Sequence, residues 1–212
     1  QSNFISQGVD TGGAGDQGIM VGYACNENEA KIPQELYLAR QLCQILYEEY
    51  PFDGKTQVTL DDGVITAVVA SFQNASGLEL YNRVEEWLDD QGYKNPSRSV
   101  EIHCNPAGDW EVGGFDADTG LTGRKLVVDN YGPRVPIGGG AFSGKDPSKV
   151  DRSAAYMARR IAVDYLNKHD AREVYVYLAY AIGHPAPVQA TAIVDGESVA
   201  VTEYDLSPTG IS

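Results

Sequence analysis

Apolar residues recur along this chain with two different periods, and the switches between them predict the order of elements. Over residues 33–49, Leu36, Ala39, Leu42, Cys43 and Leu46 fall on one face of a 3.6-residue repeat, with Pro33 at the first helical position, which predicts a helix. Thr56 to Leu60 and Val64 to Phe72 are rich in β-branched residues, and Asp61-Asp62-Gly63 between them signals a hairpin. Leu80, Val84, Trp87 and Leu88 give a second amphipathic helix over Leu78 to Asp90, followed by a short strand from Val100 to Cys104. Asn105 to Gly123 is turn-rich, and Lys125 to Asn130 reads as another strand. A long helix is predicted from about Ser148 to Lys168, burying Val150, Ala154, Met157, Ala158, Ile161 and Tyr165. Val174 to Ile182 alternates cleanly, and Val188 to Val194 turns through Asp195-Gly196 into Ser198 to Thr202. The first 30 residues are glycine-rich and irregular, apart from the apolar piece Ile19 to Ala24.

This order predicts an α+β fold: two units, each a mainly antiparallel sheet with helices on one face. The expected division is residues 1–111 and 112–212, and the halves show no convincing internal sequence repeat.

Composition narrows the partners. The 212 residues carry a net charge of −14, which disfavours a nucleic-acid-binding surface. No apolar run reaches the roughly 18 residues needed to cross a bilayer. Cys25, Cys43 and Cys104 lack metal or redox spacing and read as small buried hydrophobes of a reducing, cytoplasmic protein. His103, His169 and His184 lack ligand spacing too. The opening Gln-Ser-Asn-Phe-Ile-Ser-Gln-Gly has no signal-peptide pattern, and the missing initiator methionine predicts the interior of a longer polypeptide.

Three polar, glycine-rich segments carry the candidate chemistry. In Gly12-Gly13-Ala14-Gly15-Asp16-Gln17-Gly18, glycines free the backbone to approach a ligand, and Asp16 is placed to accept donors or meet a cation; a plain turn is the competing reading. In Asp118-Thr119-Gly120-Leu121-Thr122-Gly123-Arg124-Lys125, the adjacent cations would lie on opposite faces of the predicted strand, or at a merely solvated strand end. The third segment, Pro136 to Arg152, joins four glycines to Lys145, Asp146, Lys149 and Asp151 ahead of the long helix. Asp146 reads as the N-cap, with Pro147 behind it. Lysines at a helix N-terminus oppose its dipole, so two of them beside bare glycine amides predict an anion site, with phosphate the obvious anion. Asp151 would then suit a divalent metal bridging phosphates. The segment is no P-loop, because Gly144-Lys145 is followed by Asp146, and no dinucleotide fingerprint, because the triple glycine follows no strand.

Together these segments resemble the S-adenosylmethionine synthetase (methionine adenosyltransferase) family. Gly13-Ala14-Gly15-Asp16-Gln17-Gly18-Ile19-Met20 is similar to one family signature, and Gly138-Gly139-Gly140-Ala141-Phe142-Ser143-Gly144-Lys145-Asp146 to the other. The likeness continues through Leu121-Thr122-Gly123-Arg124-Lys125, Lys149 to Tyr156 and Tyr180-Ala181-Ile182-Gly183. It implies a transferase that joins ATP and L-methionine into S-adenosylmethionine, then cleaves the released triphosphate to pyrophosphate and phosphate. Magnesium (Mg2+) and potassium (K+) would assist. By the same resemblance Lys55, Arg124, Lys125 and Lys145 would hold the polyphosphate and act in catalysis. Asp53, Gly54, Asp109, Trp110, Asp118 and Ala141 would contribute to ATP binding, with Trp110 where the family usually has a phenylalanine against the adenine. Gln1, Asp118 and Lys149 would contact methionine, and Asp16 and Asp151 magnesium. Gln1 would open the mobile active-site loop, which is shortened here. A homodimer or dimer of dimers with active sites between subunits is implied.

The departures are specific. The family's His-Pro-Asp-Lys segment, its potassium-binding acidic residues and its C-terminal aromatic, glycine-rich segment do not occur in these residues, and Ile137 replaces a usual histidine. The expectation is therefore a chain incomplete in catalysis by itself. The alternative is a truncated, non-catalytic homologue that binds nucleotide or a full-length partner as a regulatory or assembly subunit.

Overall fold

The computed structural model describes residues 9, 12–93, 98–120, 123 and 125–212. The chain divides into two compact units, one of Gln1–Pro33 with Thr122–Ser212, the other of Gln34–Leu121. The fold is α+β.

In the first unit, strands β1 (Gly18–Cys25), β5 (Glu173–Tyr180), β6 (Gln189–Val194) and β7 (Glu197–Ala200) form an antiparallel sheet in the order β1-β5-β6-β7. The alternation read in the sequence appears in β5 as burial of every second residue, Val174, Val176, Leu178 and Tyr180. These pack with Ala154, Ala158, Ile161, Ala162 and Tyr165 of the helix Val150–His169. Helix and sheet approach closely because Gly22 lies against them: a Cβ there would sit 2.1 Å from the backbone of Ala158. Next in sequence, Arg159 donates to the carbonyls of Tyr23 (2.6 Å), Lys31 (2.9 Å) and Ala30 (2.8 Å), stitching the end of β1 and its following loop to the helix. Burial holds the Arg159 guanidinium below its ordinary pKa.

In the second unit, α1 (Gln34–Glu49) and α2 (Gly77–Asp90) bury leucines with Val58, Ile65, Val68 and Phe72 of a three-stranded sheet, β2 (Gly54–Asp61), β3 (Val64–Phe72) and β4 (Glu101–Cys104). β2 and β3 are antiparallel around Asp62 and Gly63, both at positive φ, whereas β4 joins β3 in parallel. All four apolar residues predicted for α2 are buried. Its start is a capping box: the Ser76 hydroxyl accepts from the Glu79 amide, while the Glu79 carboxylate accepts from the Ser76 amide.

Four sequence expectations are corrected. Residues 125–130 form a helical turn, α3 (Leu126–Asp129), in place of a strand. The amides of Val128 and Asp129 donate to the Lys125 carbonyl and the Asn130 side chain to the Leu126 carbonyl, so local bonds serve a backbone that pairs with no strand among the described residues. The long helix, α4, begins at Val150 with Lys149 at its N-cap, because Asp146 spends its carboxylate on the amide and hydroxyl of Ser148 in a tight turn. The α1 stripe runs through Leu38, Leu42 and Leu46, leaving Leu36 half-buried. Finally, the apolar piece Ile19 to Ala24, given no element from the sequence, is the body of a full strand, Gly18–Cys25.

Candidate functional site

Within the first unit, the fold gathers the glycine-rich signatures around the start of β1. The amide of Ala14 donates to His184 (2.8 Å) and that of Gly183 to Ala14 (2.7 Å), so the segment bearing Asp16 lies beside the turn after β5. Asp16 is exposed at its tip and accepts from the Gln17 amide at 2.8 Å.

The triple glycine is laid directly on β1. A Cβ on Gly138 would come within 2.4 Å of the Ile19 carbonyl oxygen and 2.6 Å of Val21 Cγ2, and Gly139 adopts φ +72. Only glycine permits both the approach and the turn. The outcome is that the Gly140 amide points at the first turn of α4, where it donates to Asp151 Oδ1 at 3.2 Å. Lys145, after the loop reverses at Gly144, places its ammonium 2.5 Å from Asp151 Oδ2. Arg152 donates to the Lys145 carbonyl, fixing the far side of the loop. Asp151 and Lys145 are sheltered, with side chains 17% and 28% exposed. One backbone amide and one ammonium thus converge on a single carboxylate.

The other predicted residues of this unit are held in different ways. Ala141 follows Gly140 on the same loop and is half-buried. Lys149 caps α4 through its backbone; its charge helps hold the Asp146 carboxyl below the ordinary range, behind the larger effect of the Ser148 hydroxyl and amide. Lys125, exposed at the start of α3, forms no ion pair with a described residue. Gln1 and Arg124 lie outside the described residues.

The second unit positions the remaining candidates through a polar lattice that the sequence reading missed. Buried Asn105 accepts from the Phe72 amide (3.1 Å) and Trp110 Nε1 (3.4 Å), and donates to the Ala75 carbonyl (2.8 Å) and Asp109 (3.2 Å). Asp109 also accepts from the Gly77 amide at 2.8 Å, at the N-terminus of α2. Asp53 accepts from the Gly114 amide at 2.9 Å, and Gln73 bonds both Asp53 and Glu111. Gly54 follows Asp53 under the Phe72 ring, which a Cβ would strike at 2.4 Å. Lys55 is exposed on β2 with no ion pair to a described residue. Asp118 accepts from the Gly120 amide at 3.0 Å and is otherwise exposed. Asp109 and Asp53 therefore hold the 105–114 loop in place, with Trp110 half-buried on it. The available sequence signal for Asn105 was an Asn-Pro pair, which points to a turn, as its positive φ bears out, and not to a hub.

No helix among the described residues is long and apolar enough to cross a membrane. Nor do three or more His, Cys, Asp or Glu side chains gather there as a metal cage.

Comparison with known proteins agrees with the motifs. A family model for the S-adenosylmethionine synthetase central domain matches residues 11–110, and one for the C-terminal domain matches residues 112–207. The S-adenosylmethionine synthase of Paramagnetospirillum magneticum is 41% identical over an alignment covering 100% of this chain and 62% of that protein. That of Pelagibacter ubique is 40% identical, covering 100% of this chain and 63% of its own length. An unusual S-adenosylmethionine synthetase from Campylobacter jejuni superposes with a TM-score of 0.81 at 34% identity, over 94% of this chain and 60% of its own. The chain thus spans about three fifths of the length of the relatives it matches. With both domain models matched in order across nearly all of its residues, and a solved member sharing its fold, the chain belongs to the S-adenosylmethionine synthetase family.

Proposed function

We propose that this chain supplies the central and C-terminal portions of a methionine adenosyltransferase, the enzyme that makes S-adenosylmethionine from ATP and L-methionine. The observation that carries the reading is the convergence of the Gly140 amide and the Lys145 ammonium on one anionic group. Such donors bind phosphate oxygens as readily as a carboxylate.

In the reaction, a lone pair of the methionine sulfur forms a bond to the ribose 5′ carbon while the bond from that carbon to triphosphate breaks. The triphosphate leaves with the electron pair, and water then splits it into pyrophosphate and phosphate. No proton must move in the transfer step, so the protein's work is positioning and neutralisation of the departing charge. Lys145 and the Gly140 amide hold the polyphosphate, with Lys55, Arg124 and Lys125 as further cations. Ala141 offers backbone, Trp110 a face for the adenine, and Asp53, Gly54 and Asp109 the framework beside it. Asp118, Lys149 and Gln1 serve methionine and nucleotide.

Asp151 fits a magnesium ion that arrives with phosphate, because such ions take one or two carboxylates and complete their shell with phosphate oxygens and water. Asp16 is the second candidate ligand. The ion would neutralise polyphosphate charge. Potassium carries over from the family without a ligand assigned in this chain, as do a cytoplasmic setting and active sites shared between subunits of a homo-oligomer.

The test is mass spectrometry for S-adenosylmethionine after incubation with ATP, methionine, magnesium and potassium, alongside calorimetry of ATP binding. Product or ATP binding that disappears in Lys145→Ala supports the reading. ATP binding without product favours the nucleotide-binding subunit over the enzyme. ATP affinity untouched by Lys145→Ala overturns the role of the loop.

A further inference from the structure

The anion cradle is filled by a residue of the chain itself. Both oxygens of Asp151 are engaged, Oδ1 by the Gly140 amide at 3.2 Å and Oδ2 by the Lys145 ammonium at 2.5 Å. These are the donors that the proposed function assigns to polyphosphate. The space between them is narrow: a Cβ on Gly140 would lie 2.8 Å from Lys145 Nζ and 3.1 Å from Asp151 Oδ2. The backbone that carries both donors is held on either side of the loop. Gly138 is seated on β1, Gly139 lies against Asp151, and the Lys145 carbonyl is held by Arg152. The pair is also largely withdrawn from solvent, which strengthens it relative to a surface ion pair.

From this we infer that Asp151 is an internal competitor for the polyphosphate site, and that a divalent cation makes the site available by taking the Asp151 carboxylate. The inference rests on the functional reading above and adds an order to it. A polyphosphate arriving alone must break the Lys145–Asp151 contact and leave a carboxylate facing phosphate oxygens, a like-charge contact. A cation that accepts Asp151 releases Lys145 and the Gly140 amide and turns that repulsion into a bridge. Cation and polyphosphate binding are then positively coupled through one side chain, and the coupling is reciprocal.

The experiment is calorimetric titration of this chain with inorganic tripolyphosphate, with and without magnesium, for the wild type and Asp151→Asn. The asparagine keeps an oxygen for the Gly140 amide and removes the charge. Without magnesium, Asp151→Asn should bind tripolyphosphate on the order of tenfold more tightly than the wild type, the equivalent of one charge-assisted hydrogen bond. Magnesium should then improve binding by a larger factor in the wild type than in the variant. Comparing the two proteins under identical conditions cancels the association of magnesium with tripolyphosphate in solution. Thermal unfolding checks that the variant is folded, and Asp151→Ser gives the same readout should the asparagine fail to fold. Equal or weaker binding by the folded variant without magnesium overturns the inference while leaving the functional reading intact. A wild type that ignores tripolyphosphate even with magnesium overturns both.

Discussion

Replacing Gly138 by alanine tests whether the anion loop owes its position to β1. The added Cβ would stand 2.4 Å from the Ile19 carbonyl oxygen, 2.6 Å from Val21 Cγ2 and 2.9 Å from the Val21 amide nitrogen. Two of these three atoms are backbone of a strand paired along its whole length with β5, so the strand cannot yield. Comfortable non-bonded separations are about 3.5 Å, which forces the loop back by about 1 Å. Overpacking of this kind costs about 2 kcal/mol, and the midpoint of thermal unfolding should fall by about 6 °C. The displacement reaches Gly140 two residues on, whose bond to Asp151 is already 3.2 Å long. Tripolyphosphate affinity should therefore drop by roughly tenfold as well. Gly140→Ala is the control: its Cβ meets the end of a flexible lysine at 2.8 Å, so stability should change by less than about 1 kcal/mol while binding is lost. Circular dichroism melts and calorimetry read both quantities. A Gly138→Ala protein with wild-type stability and affinity would refute the argument that the strand sets the loop.

Asn105→Ala removes the hub of the second unit; leaving the Phe72 amide and the Ala75 carbonyl without their partner should cost about 3 kcal/mol. Trp110 would lose its anchor, so its fluorescence should shift before global unfolding in denaturant; a single coincident transition would count against the hub. Ser76→Ala addresses acid stability. The Glu79 carboxyl is held below its ordinary value of 4.5 by the Ser76 hydroxyl and amide, so its contribution is complete above that value and is lost as pH falls through the depressed one. The variant should lose stability at neutral pH and show a shallower decline between pH 5 and 3 (roughly the carboxylate range); parallel acid-unfolding curves would show that the cap carries no such linkage.

Much of this fold can be read locally. The strict alternation of Val174 to Tyr180, the Asp62-Gly63 turn and the Leu80-Val84-Trp87-Leu88 face each declare their element, because burial on one side suffices to impose the period. Other elements are decided by distant partners. Gly18–Cys25 is a strand because it pairs with β5 some 150 residues later, and no local period of its own announces that. Lys125 to Asn130 carries the β-branched pair Val127-Val128, yet folds as a helical turn because it joins no strand among the described residues and the Asn130 side chain bonds the Leu126 carbonyl. The candidate site was legible as motif and opaque as geometry. Glycine density and the lysines of residues 136–152 pointed to an anion, whereas the seating of Gly138 on β1 and the pairing of Lys145 with Asp151 depend on contacts that no spacing reveals.

A crystal structure of the chain grown with tripolyphosphate and magnesium bears most directly on the anion-cradle reading. Phosphate oxygens should replace Asp151 at the Gly140 amide and the Lys145 ammonium, with the Asp151 carboxylate turned toward the cation. An intact Lys145–Asp151 pair, with the polyphosphate bound elsewhere or absent, would contradict it.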